Sequence, residues 1–221
     1  MNMIDVEYIR HSGDDLSVVN AARVSFDQES VAFEQRDDKL IHWLAKHKHK
    51  SPFNHAFLTF RVQAPIFVMR QLVKHEYLPF NEVSRRYVED GLEFYWPEDG
   101  DWRSQPTNVK QGSGEPLVSS QVNELKARYE LLIEMAEDLY RDATNPAYFN
   151  LCREQARMFL PQSLMSTCIW SGSVFAFMKM VQLRTHATAQ AEARYVAEKV
   201  SATIENLYPV THAALLKYGT E

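Results

Sequence analysis

Apolar residues recur along this chain at both helical and strand spacings, and the two periods predict most of its elements. Val122, Leu125, Tyr129, Leu132, Ala136, Leu139 and Tyr140 fall at steps of three and four and predict a long helix capped by Ser120. Helical spacing also marks Asp15 to Ala22, Asp37 to Lys46, and Leu151 to Phe159, the last stopped by Pro161. Ser173 to Arg184 is apolar nearly all round apart from Lys179, which predicts an interior helix. From Thr188 the chain is predicted helical to about Leu207, with a closing turn after Pro209. Strands are predicted over Ile4 to Ile9, over the aromatic and β-branched run His55-Ala-Phe-Leu-Thr-Phe-Arg-Val-Gln63, and over Met165 to Ser171. Pro65 ends the second strand and opens a helix from Ile66 to His75. A few strands scattered among many helices predict an α+β domain. One domain spans residues 1–221, and the Gly- and Pro-bearing segment Asp99 to Ser120 is a surface excursion from it.

Composition narrows the function. A net charge of −5 argues against non-specific binding to nucleic acid, while leaving room for a local basic pocket that takes one small anion. No stretch is long and apolar enough for a membrane span, and the N-terminal residues carry no export signal, so a cytoplasmic protein is expected. Cys152 and Cys168 form no paired metal motif and suit reduced thiols. The run Lys46-His-Lys-His-Lys50 with His55 lacks the cysteine or carboxylate that would complete a metal set, so no metal is expected. Cys152, beside Arg153, is a weak nucleophile candidate, and Ser84 has no histidine near it in sequence for a serine triad.

The chemistry concentrates in Arg70-Gln-Leu-Val-Lys-His-Glu-Tyr-Leu-Pro-Phe-Asn-Glu-Val-Ser-Arg-Arg-Tyr87. Arginines beside hydroxyl and amide groups suit phosphate and nucleobase recognition, because a guanidinium fork meets two oxygens at once. The plainer reading is a solvated helix end with surface ion pairs. A second set comprises Arg153, Arg157, Arg184, Gln190, Glu192 and Arg194. Arg184 ends an apolar helix, where the helix dipole alone would favour a cation.

The stretches Ala21-Ala-Arg-Val-Ser-Phe26, Lys46-His-Lys-His-Lys-Ser-Pro-Phe53, Ala64-Pro-Ile-Phe-Val-Met-Arg-Gln71, Phe80-Asn-Glu-Val-Ser-Arg-Arg-Tyr87, Arg153-Glu-Gln-Ala-Arg157 and Leu183-Arg184 with Gln190 occur in an order that resembles the flavin-dependent thymidylate synthases, the ThyX family. The resemblance implies a mixed α/β fold, a homotetramer, and transfer of a one-carbon unit from methylenetetrahydrofolate to C5 of dUMP, with FAD as cofactor and NADPH as reductant. It implies that Gln71, Glu82, Ser84, Arg86 and Arg157, with Lys74 and Arg85 beside them, hold the nucleotide phosphate and base, and that Arg184 polarises the pyrimidine. His49 and Tyr87 match positions on the folate and nicotinamide side.

The flavin positions depart from the family. Its Arg-His-Arg, seven residues and Ser reads here Lys74-His75-Glu76, seven residues and Ser84. Ser51, Glu82, Ser173, Phe175 and Lys179 occupy the other flavin-side positions, with Phe175 in place of an arginine. A glutamate gained in one segment and a lysine in another suggest that Glu76 and Lys179 lie together, within a subunit or across a boundary. Hydroxymethylation, action on dCMP, weakened FAD use, and a non-catalytic nucleotide-binding role stay open at this point.

Overall fold

A computed structural model of the chain describes residues 3–88, 91–107 and 112–220. Strand β1 (Asp5–Ser12) leads into helices α1 (Asp15–Arg23) and α2 (Gln35–Lys46). Strand β2 (Phe57–Pro65) runs directly into α3 (Ile66–Leu72), and β3 (Phe80–Glu82) follows. The long α4 (Ser119–Thr144), the short α5 (Arg153–Ala156), β4 (Met165–Ser173), α6 (Val174–Arg184), α7 (Ala191–Leu207) and α8 (Pro209–Tyr218) complete the order. The strands form one sheet in the order β1-β2-β4-β3. This is the α+β class expected from the sequence.

The backbone divides into two compact units: a first of Met1–Ile4, Gln63–Arg70 and Glu82–Cys168, and a second of Asp5–Val62, Gln71–Asn81 and Ile169–Glu221. In the second, α6 is buried through Phe177, whose ring meets those of Phe60 and Trp170 edge-on at 5.2 Å each. Such pairs add about 0.5–1.5 kcal/mol beyond burial. Helix α1 opens on a capping box in which Ser17 N donates to Asp14 Oδ1 at 2.8 Å and Asp14 N to Ser17 Oγ at 3.1 Å. In the first unit, Phe94, Ile133 and Leu164 form a core against Ile66, Leu92, Trp96, Tyr129 and Leu160.

Several sequence expectations need correction. Helix α4 begins a residue before Ser120 and takes no side-chain cap from it, since Val118 is the N-cap. Its buried face is Val122, Ile133, Ala136, Tyr140 and Ala143, whereas Leu125, Leu132 and Leu139 of the expected stripe are exposed. The expected helix over 151–159 is shorter, with a 3-10 turn over Arg157–Phe159 after α5.

The expected turn after Pro209 is the helix α8. Its start is stabilised from far along the chain, because the Asp15 carboxylate accepts from Val210 N and Thr211 N, both at 2.9 Å. Helix α3 stops at Leu72 and not at His75, since residues 73–79 turn back to place β3 beside β4. Ser171 N donates to Pro79 O at 3.1 Å in that pairing. A Cβ on Gly172 would stand 2.3 Å from Leu78 Cδ2 and 3.1 Å from Tyr77 O, so the turn packs into space that a larger residue would fill.

The excursion over 99–120 is held by an isolated bridge between Arg103 and Pro116. Residues 108–111 of that segment lie outside the described residues.

Candidate active site

In the second unit the C-terminus of α6 meets the turn that follows α3. Arg184, the last residue of α6, is half-buried and donates through Nε to His75 Nε2 at 3.0 Å, through Nη1 to Gln71 Oε1 at 3.2 Å, and through Nη2 to the Gln71 carbonyl at 3.3 Å. Gln71 in turn donates its amide to Gln190 Oε1, at the N-cap of α7. The helix dipole accounts for a cation at Arg184 but not for three bonds that fix its plane. Burial lowers the pKa of the guanidinium below its ordinary value. Burial, with the Arg184 and Lys179 charges, also pushes His75 down to about 4. The imidazole is therefore neutral near pH 7 and accepts at Nε2.

Two of the substituted positions, Phe175 and Lys179, lie four residues apart on one face of α6. Lys179 Nζ lies 3.6 Å from Glu76 Oε2 in the same chain. Their side chains are 53% and 70% exposed, so the pair is not compelled by burial as expected of an interior helix, and contributes about 0–1 kcal/mol. One turn earlier, Phe175 lies under Lys50 Nζ, 5.7 Å from the ring centroid. Ser173 is committed elsewhere: its Oγ donates to Asn54 Oδ1 at 2.6 Å and accepts from Ala176 N at 3.2 Å, capping α6. Ser51, His49 and Lys74 are exposed, and the His49 ring stands 4.9 Å from that of Trp43.

The first unit holds the remaining predicted residues. Arg86 donates to Glu154 Oε1 at 3.4 Å, and Arg157 Nε to the Glu154 carbonyl at 3.3 Å, so both arginines reach the same residue. Ser84 Oγ accepts from Arg86 N at 3.3 Å and Nε at 3.4 Å, which orients the guanidinium over the Tyr87 ring, 5.1 Å away. Arg85 instead donates to the Gly91 carbonyl at 2.9 Å. Glu82 ends β3 and is exposed.

The link between His75 and Arg184 was not anticipated, and no local signal could have found it, because the two residues are 109 apart in sequence. Lys50 is likewise new beside Phe175. Cys168 is buried and Cys152 exposed, and neither forms a disulfide. Among the described residues no three His, Cys, Asp or Glu side chains are grouped as a metal site, and no helix is long and apolar enough to cross a membrane.

The sequence profile described as thymidylate synthase complementing protein (Thy1) matches residues 7–210. The flavin-dependent thymidylate synthase of Kosmotoga olearia is 34% identical over 97% of this chain and 90% of its own length. That of Thermotoga neapolitana is 35% identical over 97% and 91%. The chain belongs to the flavin-dependent thymidylate synthase family. Solved structures are similar to this family member too: the UMP/dUMP methylase PolB of Streptomyces cacaoi, bound with 5-Br dUMP, superposes with a TM-score of 0.88 at 33% identity, over 98% of this chain and 96% of that one. The family match runs through both compact units of this thymidylate synthase relative.

Proposed function

We propose that the chain transfers a one-carbon unit from methylenetetrahydrofolate to C5 of a pyrimidine nucleoside monophosphate, converting dUMP to dTMP. The observation that carries this reading is the immobilised Arg184 in a chain of this family. A guanidinium has five N–H donors, and the bonds to His75 and Gln71 use three, leaving one each on Nη1 and Nη2. Directed at a pyrimidine carbonyl and ring nitrogen, that fork favours the anionic ring and makes C5 nucleophilic, without a cysteine adduct. Arg86 and Arg157, with Ser84, supply charge-assisted donors for the phosphate, and Gln71 and Glu82 complete the nucleotide set. His49 and Tyr87 face the folate and nicotinamide. Two cysteines outside any disulfide suit a cytoplasmic enzyme.

The chemistry of the donor set fits FAD with changed contacts. Lys179 stands beside Glu76 and Lys50 over Phe175, and with Lys74 of the motif they give three cations to one carboxylate, a balance that suits a pyrophosphate, while Ser51 offers a hydroxyl and Phe175 an aromatic edge. Ser173 and His75 act indirectly, one capping α6 and the other supporting Arg184. When bound, FAD supplies the redox chemistry that makes the transferred carbon a methyl group, with NADPH as reductant.

A second reading, hydroxymethylation of dUMP or dCMP with weakened FAD use, is favoured by the carboxylate of Glu76 where the family resemblance expects an arginine. Hydroxymethyl transfer needs no net reduction. Product analysis with dUMP, UMP or dCMP and methylenetetrahydrofolate, with and without FAD and NADPH, separates the readings. UMP is included because PolB is a UMP/dUMP methylase. A methylated product that requires FAD and NADPH supports the first reading, a hydroxymethyl product without them the second. Nucleotide binding with no product would indicate a non-catalytic relative.

The exposed Leu125, Leu132 and Leu139 of α4 offer an apolar face for the homotetramer that the resemblance implies. Sedimentation measures that assembly directly.

A further inference from the structure

Outside the residues assigned above, α2 and α8 border a cleft of about 370 Å³ in the second unit. Lys39, His42, Trp43 and Lys46 line it from one face of α2, and Lys217 and Tyr218 from α8. The single carboxylate in the lining is Asp38, so lysines exceed acids by two in a chain whose net charge is −5.

Several basic side chains elsewhere stand beside acids: Arg36 beside Glu34, Lys126 beside Asp99, Arg128 beside Glu124 and Arg141 beside Glu137. Among the described residues, Lys39 and Lys46 have no ion-pair partner, and the Lys217 ammonium rests only on the Tyr218 ring, 5.3 Å from its centroid. Like charges gathered in excess of counter-charges repel, which is what a bound anion relieves.

The remaining lining is aromatic. Trp43 is 47% exposed although it packs on the His47 ring at 4.4 Å. The His42 ring meets Tyr218 edge-on at 5.9 Å, and its Nδ1 is buried without a hydrogen-bond partner among the described residues. Neighbouring lysines of the same run are used differently. Lys48 ties the Tyr218 carbonyl at 2.7 Å, closing the end of α8, and Lys50 covers Phe175. The run therefore divides its cations between structure, the α6 face and this cleft.

Cations supply phosphate binding and aromatic rings, exposed at Trp43 and partly buried at Tyr218, supply stacking, and a nucleotide is the chemical class that answers both. A cleft of this volume holds one small molecule, whereas a strand of nucleic acid needs a series of such platforms along a basic groove. We infer that the α2–α8 cleft is a second ligand site, adjoining the proposed folate and nicotinamide side through the Trp43–His49 ring contact but outside the residues proposed for C5 chemistry, that takes a free nucleoside polyphosphate with its base against Trp43 and Tyr218 and its phosphates on Lys39, Lys46 and Lys217.

The test titrates the full chain, first saturated with dUMP, using dTTP and ATP as probes and inorganic tripolyphosphate as the ring-free control. A nucleotide should quench tryptophan fluorescence and bind at least about tenfold more tightly than tripolyphosphate. The double variant Lys39→Ala/Lys217→Ala should weaken binding by about tenfold or more while turnover on dUMP is unchanged, and Trp43→Phe should abolish the quench. Hydrogen exchange on the unmodified protein should show nucleotide-dependent protection over 38–46 and 217–218, a readout independent of whether any variant folds. Absence of that protection, affinity unchanged in the double variant, or tripolyphosphate binding as tightly as the nucleotides would overturn the inference.

Discussion

The Nε–H of Arg184 is directed at Nε2 of His75, 3.0 Å away, so the arginine proposed to act on the pyrimidine is held by a histidine of the flavin-like motif. The bond requires a neutral imidazole protonated on Nδ1. The Gln71 side chain and carbonyl hold the guanidinium's other two nitrogens. The plane of the fork is thus set before any substrate arrives, which is the condition under which a fixed dipole or charge is most effective.

Replacing Arg184 by Lys keeps a cation at the end of α6 and removes the planar fork. Turnover should fall by about 10²–10³-fold, the scale for losing a preorganised donor, with little change in Tm. Steady-state kinetics beside thermal melting decide it. Retained turnover would leave Arg184 as a helix terminus only.

His75 titrates at about 4, down from 6.5, so the folded protein binds this proton less readily than the unfolded chain. Its contribution to stability is complete above pH 6.5 and is lost as the pH falls toward 4. In His75→Gln, whose amide oxygen still accepts from Arg184, that acid-side loss should be smaller than in the parent. The difference between the two Tm profiles from pH 7 to pH 4 measures it, and superimposable profiles would remove His75 from the acid response.

Glu76 and Lys179 are both exposed, so Glu76→Arg should leave Tm nearly unchanged, the pair contributing about 0–1 kcal/mol. The local charge nevertheless changes by two units. FAD affinity, followed by flavin fluorescence, should rise by about tenfold or more if this face meets the pyrophosphate. An unaltered titration would show that Glu76 does not face the cofactor.

Arg157 is exposed and contacts only the Glu154 carbonyl among the bonds described, so Arg157→Ala should fold normally. Loss of a charge-assisted phosphate contact should weaken dUMP binding by about 1.5–3 kcal/mol, measured by calorimetry.

The Asp37 side chain is fully buried and accepts from Arg23 Nη2 at 2.6 Å, Glu34 N at 2.9 Å and Ser30 Oγ at 3.3 Å. Burial alone would raise its pKa, but these bonds and the Arg23 charge hold it below the ordinary 3.8. The stabilisation is present above that pH and lost as the pH falls through the depressed value. Arg23→Ala strands the buried carboxylate and should cost about 3–5 kcal/mol in denaturant unfolding near pH 7. A loss below 1 kcal/mol would mean that water replaces the arginine.

The features legible along the chain were local or ordered in sequence. The spacing of apolar residues located α1, α2, α4, α6 and α7, because helical periodicity is written within a few turns. The motif order, from Ala21-Ala-Arg23 to Leu183-Arg184, pointed to the family. Whatever depends on distant partners emerged only from the folded packing. Helix α8 is stabilised at its start by Asp15, about 195 residues away, and β3 pairs with β4 where the turn over 73–79 packs against Gly172. Lys179 reads as buried from its apolar neighbours and is half-exposed, since a helix surrounded by apolar sequence still turns one strip outward. The orientation of Arg184 rests on His75 and Gln71, 109 and 113 residues earlier. Periodicity specifies which side of an element seeks burial, but only the folded packing selects which polar groups meet, and the proposed chemistry depends on those meetings.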